Sequence, residues 1–484
     1  MKTMTVERLK NYVNGAWIDV ASSAVQEVRN PATGEVIALC PLGGAAEVDA
    51  AVRAAHAAYA TWRRVPAEER VQYLFKLKAL LEEHAEELAA VVTRENGKTL
   101  SEARGDVRRG IQMVEVAIGA PSLLMGQALE DVAHGIDCES VRQPMGVFAC
   151  IAPFNFPAMV PLWFYPFAVA CGNTFVCKPS EQVPLTQRLM FELIHRAGFP
   201  RGVLNLVNGG KETVNAILEH PLIRGVSFVG SSPVAEYVYK VGAAHGKRVQ
   251  ALGGAKNFII VMPDAEMDKA IDAIAESAFG CAGERCLAAS VVLAVGDAHG
   301  KLRAGLVERI GQYKVGDGSK PETTMGPVIS QKSKERVVSY IDKGVTEGAE
   351  LVCDGRKVAT KETGYFVGPT LFDKVTPKMT IAKEEIFGPV LCMMQVGGLD
   401  EAMTIAGSHP LANASSIFTT SGKSARQFRY EIDASMAGVN IGVAAPMSFF
   451  GFGGAKGSFF GDLKAHGREA FDFYTDRKVL ISRW

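Results

Sequence analysis

Two cysteines in one short segment are the residues of this chain best suited to covalent chemistry. Residues 280–286 read Gly-Cys-Ala-Gly-Glu-Arg-Cys and follow a helical pattern. A thiolate is a strong nucleophile, and small neighbouring residues leave a backbone N–H free to point at a substrate oxygen. We predict that Cys286 is the nucleophile. Cys281 is the competing candidate, and a cysteine is more often a small buried side chain than a catalyst.

A stiff loop that carries an asparagine follows a predicted strand at residues 147–151. Residues 153–157 read Pro-Phe-Asn-Phe-Pro, so prolines on both sides restrict the loop. The amide of Asn155 could donate to an oxyanion. Asparagine beside proline also serves ordinary turns, so this motif alone leaves both interpretations open.

A cation and a carboxylate follow the next predicted strand, at residues 174–177. Residues 178–181 read Lys-Pro-Ser-Glu, which places both charges at the carboxyl end of a sheet, where α/β proteins bind nucleotides. The carboxylate of Glu181 can accept from ribose hydroxyls and would repel a 2′-phosphate. This arrangement favours NAD over NADP, and a solvated loop is the alternative.

A third strand ends at Val229 and leads into a helix through Gly-Ser-Ser-Pro at residues 230–233. Serines at the cap and proline in the first turn are typical of helix N-termini, which suit phosphate groups. The segment lacks the three-glycine dinucleotide fingerprint, so an ordinary strand-to-helix turn also explains it.

Alternating strand and helix patterns must position these groups. Apolar, valine-rich runs separated by helical segments predict a parallel sheet, and further strands and helices after residue 257 predict a second α/β unit. The predicted strands are 147–151, 174–177, 203–207, 226–229 and 248–252. The predicted helices are 45–62, 67–92, 234–244, 267–278 and 332–347.

Composition sets outer limits on function. The 484 residues are enough for two or three domains, and 52 basic residues balance 52 acidic ones, which argues against nucleic acid or a membrane surface as partner. The nine cysteines and nine histidines lack disulfide-like or metal-ligand spacing. The N-terminus has no targeting pattern, and the longest apolar stretch, 159–171, is too short to span a bilayer. We predict a cytoplasmic enzyme with no metal site and a small-molecule substrate.

Five motifs together resemble the aldehyde dehydrogenase superfamily in order and spacing, and the resemblance covers essentially the whole chain. They lie at residues 153–157, 178–181, 228–232, 283–286 and 384–389. The resemblance implies an α/β fold of two Rossmann-like parallel-sheet domains and a small β oligomerisation hairpin. It implies an NAD-binding domain at 1–124 and 145–254, a catalytic domain at 255–462, and a hairpin and tail at 125–144 and 463–484 that build a dimer or, as we expect, a homotetramer.

The resemblance also implies roles for particular residues. Cys286 would form a thioester with the aldehyde carbon, and Asn155 with the Cys286 backbone N–H would stabilise the oxyanion. Lys178 and Glu181 would meet the adenosine ribose of NAD, and Ser231 the pyrophosphate. The nicotinamide half would contact Glu385 and Phe387. The predicted cofactor site is completed by Ala152, Phe154 and Ser180.

One position departs from the hydrolytic members of the family, which carry Glu-Leu-Gly-Gly-Lys. Residues 252–257 read Leu-Gly-Gly-Ala-Lys-Asn, so Leu252 replaces the glutamate that would activate water. A thiol with a pKa of about 8.5 provides some thiolate without a base. The chain resembles the coenzyme A-acylating methylmalonate-semialdehyde dehydrogenase branch, whose activity gives propionyl-CoA or acetyl-CoA with loss of CO2. A hydrolytic enzyme that uses another base is the first alternative, and a catalytically silent relative is the second.

Substrates of that branch carry a carboxylate, which arginine binds bidentately. Arg285 lies next to the predicted nucleophile. Arg109 matches a second arginine of the branch, although a surface cation is a fair alternative and the adjacent Arg108 competes with it. We therefore predict Arg109 and Arg285 as substrate-binding residues.

Overall fold

The computed structural model describes residues 6–358, 360 and 363–484. Its strands are short, and most belong to two large sheets. They are β1 Asn11–Val13, β2 Ala16–Ile18, β3 Val25–Arg29, β4 Val36–Pro41, β5 Gln127–Ala133, β6 Ile136–Pro144, β7 Val147–Ile151, β8 Thr174–Lys178, β9 Leu204–Leu206, β10 Ile223–Val229, β11 Arg248–Leu252, β12 Asn257–Val261, β13 Ala289–Val295, β14 Glu350–Cys353, β15 Thr370–Asp373, β16 Val390–Val396, β17 Leu411–Ala412, β18 Ala414–Phe418, β19 Met436–Val439, β20 Ala455–Lys456, β21 Phe459–Gly461 and β22 Thr475–Arg483.

The α-helices lie mainly between successive strands, as crossovers of a parallel sheet require. They are α1 Ala45–Trp62, α2 Ala67–Glu83, α3 Ala85–Asn96, α4 Leu100–Ile118, α5 Ala120–Leu123, α6 Met159–Leu162, α7 Tyr165–Ala170, α8 Leu185–Ala197, α9 Lys211–Glu219, α10 Ser232–Ala244, α11 Met267–Phe279, α12 Ala298–Gly311, α13 Gln331–Thr346, α14 Thr380–Lys383, α15 Leu399–Ser408, α16 Gly422–Glu431 and α17 Gly467–Phe473. Within the described residues, none is long and apolar enough to cross a membrane.

The first large sheet has the strand order β2-β1-β9-β8-β7-β10-β11-β21, and its five central strands from β9 to β11 are parallel. Alternate residues of β7 enter two separate apolar clusters, one on each face of the sheet. Burial on both faces explains why this strand is a continuous apolar run. The last strand at one edge of the sheet is β21, which comes from far along the chain and pairs antiparallel with β11.

The second large sheet has the order β14-β15-β16-β13-β12-β18-β19 and is parallel except for β14. It is likewise covered by an apolar cluster on each face. A separate three-stranded antiparallel sheet joins β5, β6 and the C-terminal β22. The predicted α/β fold with two parallel sheets and a hairpin joined by the tail is therefore confirmed. The domain boundaries themselves stay a prediction.

The predicted strands and helices agree with the structure, with one correction. The pattern over residues 67–92 predicted a single helix, but the structure has two helices that meet at His84. The backbone of His84 leaves the helical region, with φ −100° and ψ 16°, and one residue serves as the end of α2 and the start of α3. Both helices keep apolar side chains buried on one side, so the apolar periodicity continued across the break.

Candidate active site

The predicted nucleophile lies in the turn between α11 and β13. Three successive residues of this turn, Cys281, Ala282 and Gly283, have positive φ angles of 50°, 51° and 71°. Such angles are unfavourable for cysteine and alanine, so the surrounding contacts must hold the turn. At Gly283 a Cβ atom would lie 2.2 Å from the Gly388 carbonyl oxygen. The turn therefore packs directly on the segment that carries Glu385 and Phe387.

The asparagine loop reaches the same turn. The Asn155 side chain, which is buried, donates from Nδ2 to the Glu284 carbonyl at 3.0 Å, two residues before Cys286. A buried lysine holds the other side of Asn155, because Lys98 Nζ donates to its backbone carbonyl at 2.6 Å and pairs with Asp106 at 3.2 Å. The two predicted catalytic residues are thus brought together by contacts that fix the loop.

The Cys286 thiol is held in its neutral form in this arrangement. Burial, with a smaller contribution from the nearby carboxylate of Glu385, raises the pKa of Cys286 to about 12. The backbone N–H groups of Cys286 and Leu287 and the charge of Arg285 act in the opposite direction. Nucleophilic attack therefore depends on those groups that stabilise the thiolate.

A second buried carboxyl group lies beside the nucleophile. Burial raises the pKa of Glu284 to about 8, an effect that the Ile329 backbone N–H partly offsets. That N–H donates to both carboxylate oxygens, at 3.3 and 3.2 Å. Glu284 thus ties the turn to the neighbouring loop through its carboxylate, while its backbone carbonyl accepts the Asn155 amide.

The predicted ribose-binding residues lie at the carboxyl ends of adjacent strands of the first sheet. The Ala152 N–H donates to the Lys178 carbonyl at 2.9 Å, which aligns the ends of β7 and β8. Lys178 is buried and its Nζ lies 3.0 Å from the half-buried Glu181 carboxylate, with Ser180 buried between them. Ser231 is the N-cap residue of α10, and its hydroxyl forms no capping bond with its own helix. These groups fit the adenosine and pyrophosphate parts of NAD.

The predicted nicotinamide-binding residues lie closer to the thiol. The rings of Phe154 and Phe387 meet edge to face, with centroids 5.8 Å apart. Glu385 Oε1 accepts the Ala255 N–H at 2.9 Å, and burial raises the pKa of this carboxyl. A Cβ atom at Gly254 would lie 2.2 Å from Glu385 Oε2, so a larger residue there would displace the carboxylate from this position.

The two predicted substrate arginines differ in their partners. Arg285 lies 3.5 Å from Glu102 and packs over Gly280, where its Nη2 would be 2.6 Å from a Cβ atom. Its Nε is buried without a hydrogen-bond partner. Arg285 therefore has a structural partner in this conformation and also keeps an unused donor.

Arg108 and Arg109 are neighbours in α4 but differ in their exposure and in their contacts. Arg108 is exposed and lies 3.6 Å from Glu82 and 3.7 Å from Glu115. Arg109 is half buried, contacts Met447 Sδ at 3.7 Å, and forms no ion pair among the described residues. Arg109 lies seven residues after Glu102, so both lie on the side of α4 that faces the active site.

Leu252, at the end of β11, is buried and belongs to the apolar cluster against which Cys286 packs. Its backbone pairs with Phe459 of β21, which fixes it in a strand. The position therefore offers no base. Three buried polar residues that no sequence motif singled out also hold the catalytic segment, namely Lys98, Asn257 and Asn413. Their partners are distant in sequence, and no local pattern marks them.

Comparison with known protein families identifies the class of enzyme to which this fold and this cysteine turn belong. The model of the aldehyde dehydrogenase family matches residues 17–480. The chain therefore belongs to the aldehyde dehydrogenase family.

Within this family, the chain is similar to several proteins named as semialdehyde dehydrogenases. It is 53% identical over 483 residues to a protein named malonate-semialdehyde dehydrogenase 2 from Geobacillus kaustophilus, with all of both chains covered. It is similar to the crystal structure of methylmalonate-semialdehyde dehydrogenase from Oceanimonas doudoroffii, with TM-score 0.97, 46% identity and 99% of each chain covered. A putative methylmalonate-semialdehyde dehydrogenase from Sinorhizobium meliloti, solved with NAD, aligns with TM-score 0.98 and 42% identity over 99% of each chain.

Proposed function

We propose that this enzyme oxidises malonate semialdehyde or methylmalonate semialdehyde with NAD and transfers the acyl group to coenzyme A. The observation that carries the choice of acceptor is Leu252, a buried apolar residue where hydrolytic members of the family have their general base. The substrate class is supported by the names of relatives about half identical to this chain over its full length.

The first step is attack of the Cys286 thiolate on the aldehyde carbon, which forms a C–S bond and places a negative charge on the aldehyde oxygen. Asn155 Nδ2 has two hydrogens, and one is used by the Glu284 carbonyl. The other, together with the Cys286 N–H, can donate to the oxyanion. NAD, when bound, accepts the hydride that leaves this carbon, and a thioester remains on Cys286.

Release of the acyl group follows loss of the substrate carboxylate as CO2. The C–C bond breaks, its electron pair passes to the thioester enolate, and a proton restores an acetyl or propionyl group. Coenzyme A thiolate then attacks the thioester carbon, and Cys286 leaves as thiolate. This exchange needs no base at position 252, because a thiol ionises far more readily than water.

Arg109 and Arg285 are the proposed partners of the substrate carboxylate. Arg109 lies at the active-site side of α4 without an ion-pair partner among the described residues, and Arg285 has a buried donor without a partner. A guanidinium group binds a carboxylate with two parallel hydrogen bonds. Glu102 competes for Arg285, so Arg109 is the freer of the two cations.

A hydrolytic reaction is the second candidate, and it rests on Glu385. This carboxylate lies close enough to Cys286 to raise the pKa of the thiol, and burial raises the pKa of Glu385 itself. A carboxyl group with a raised pKa is a better base than an ordinary one. In that reaction water would replace coenzyme A.

Position 252 provides a direct test of the acceptor. We expect Leu252→Glu to increase acyl release without coenzyme A by at least about tenfold, because a carboxylate there can activate water. Leu252→Gln is the matched control, with a similar shape and no base. The measurement is NADH formation without coenzyme A, with the melting temperature of each variant recorded. Equal release by all three proteins would mean that side chain 252 does not control the acceptor.

We also propose that the chain forms a homo-oligomer, as a tetramer, through the sheet of β5, β6 and β22. This sheet exposes large apolar side chains, among them Leu129, Ile481 and Trp484. Exposed apolar patches on a folded chain commonly mark protein interfaces. A monomer in analytical ultracentrifugation would contradict this.

The nine free cysteines fit a reducing compartment, which supports a cytoplasmic location.

A further inference from the structure

Two asparagines from neighbouring strands donate to one carbonyl group, that of the nucleophile itself. Asn257 Nδ2 and Asn413 Nδ2 each lie 3.0 Å from the Cys286 carbonyl oxygen. Asn257 begins β12, and Asn413 immediately precedes β18, which pairs with β12. Both asparagines are buried. The contact therefore joins the catalytic turn to the amino-terminal ends of two interior strands of the second large sheet.

Hydrogen bonds to both ends of its amide group hold the side chain of Asn257 in place. Asn257 Oδ1 accepts the Ala414 N–H at 3.1 Å, and its Nδ2 also donates to the Ala288 carbonyl at 2.8 Å. The Ala414 contact places the chain next to Asn413 in a fixed register. Both donors are thus held by the sheet, whereas the turn before Cys286 consists of left-handed residues that need outside support.

The geometry of the peptide links this carbonyl to the thiol. In the trans peptide between Cys286 and Leu287, the C=O and N–H bonds point in opposite directions. The carbonyl points toward the two asparagines, so the Leu287 N–H points away from them. The Leu287 N–H and the Cys286 N–H both act to lower the pKa of the Cys286 thiol. A carbonyl that accepts hydrogen bonds also makes the N–H of its own peptide a stronger donor.

We propose that Asn257 and Asn413 are positioning residues that hold the 286–287 peptide so that its N–H stabilises the Cys286 thiolate. They touch neither substrate nor cofactor and act through the Leu287 N–H. The importance of this role for turnover rests on the proposed function, whereas its effect on the reactivity of the Cys286 thiol does not. The reactivity of the thiol is therefore measured on the full-length enzyme without aldehyde, NAD or coenzyme A.

The test is the rate at which iodoacetamide alkylates Cys286, followed by mass spectrometry of the peptide that contains it. Only the thiolate reacts, so between pH 7 and 9 the rate reports the thiolate fraction. We expect Asn413→Leu, which has similar size and no donor, to alkylate roughly three- to tenfold more slowly at each pH, equivalent to a rise of about half to one unit in the thiol pKa. Asn413→Ser, which keeps a shorter donor, should alkylate at a rate between that of Asn413→Leu and that of the wild type.

Ser415→Ala is the matched control. Ser415 is buried, lies two residues after Asn413 in β18, and donates from Oγ to the Phe258 carbonyl of β12 at 2.9 Å. Its loss removes a hydrogen bond between the same two strands without touching the Cys286 carbonyl. We expect this variant to alkylate at the wild-type rate. Wild-type rates in both Asn413 variants, or an equal slowing in Ser415→Ala, would overturn the proposal.

Discussion

Alanine in place of Cys286 is expected to abolish NADH formation, with a fall in kcat of at least about 1,000-fold, because no other group can form the thioester. Cys281→Ala should keep activity within about fivefold of the wild type. The two thiols differ in their surroundings. Cys286 lies two residues after the carbonyl that holds Asn155, and the backbone N–H groups of Cys286 and Leu287 act to lower the pKa of its thiol.

Cys281 is placed for a structural role. Its backbone N–H donates to Glu102 Oε1, and its thiol is fully buried beside the Arg285 guanidinium. Burial raises the pKa of this thiol too. The comparison requires both variants at equal folded concentration, with NADH absorbance as the measurement. Comparable losses in both variants would remove Cys286 as the sole nucleophile.

Loss of the Arg109 side chain is expected to weaken binding of carboxylate-bearing aldehydes selectively. Arg109→Leu should raise KM for malonate semialdehyde by about 10- to 100-fold, the equivalent of one charged hydrogen-bonded contact, and leave KM for propanal nearly unchanged. Arg108→Leu provides the matched control, because it removes a cation from the next residue of the same helix. Arg108 lies near Glu82 and Glu115 on the surface and should affect neither substrate.

The ratio of the two KM values is the measurement that decides this prediction. A structural effect of Arg109→Leu would raise KM for both aldehydes, since both use the same thiol and oxyanion donors. Equal changes for malonate semialdehyde and propanal would thus contradict a carboxylate-binding role. Arg285 is less suited to this test, because its removal also leaves Glu102 without its cation.

The fold could be predicted from the sequence because strands and helices leave local signals, whereas the catalytic roles of Cys286 and Asn155 were implied by the family resemblance and stay predictions. The strand at Val147–Ile151 is a continuous apolar run followed directly by a proline-bounded loop, and the structure has both features where the pattern placed them. The loop then brings Asn155 to the cysteine turn. The separation of α2 from α3 was missed, because apolar periodicity continues on both sides of His84.

The contacts that support the site could not be predicted, since they join residues far apart in the chain. Lys98 donates to Asn155, and Asn413 donates to Cys286 across 127 positions. An isolated buried lysine or asparagine gives no signal in a single sequence, because its partner is defined only by the folded backbone. Arg109 could not be separated from Arg108 for the same reason, and the structure separates them by their contacts.

The most direct test of coenzyme A as the acyl acceptor is steady-state turnover of malonate semialdehyde with NAD, with and without coenzyme A, with NADH and the acyl product followed together. We expect sustained NADH formation only with coenzyme A, and acetyl-CoA as product. Without coenzyme A, NADH formation should stop near one equivalent per Cys286, because the thioester has no general base at position 252 to hydrolyse it. Equal sustained turnover without coenzyme A, with free acetate as product, would contradict the account.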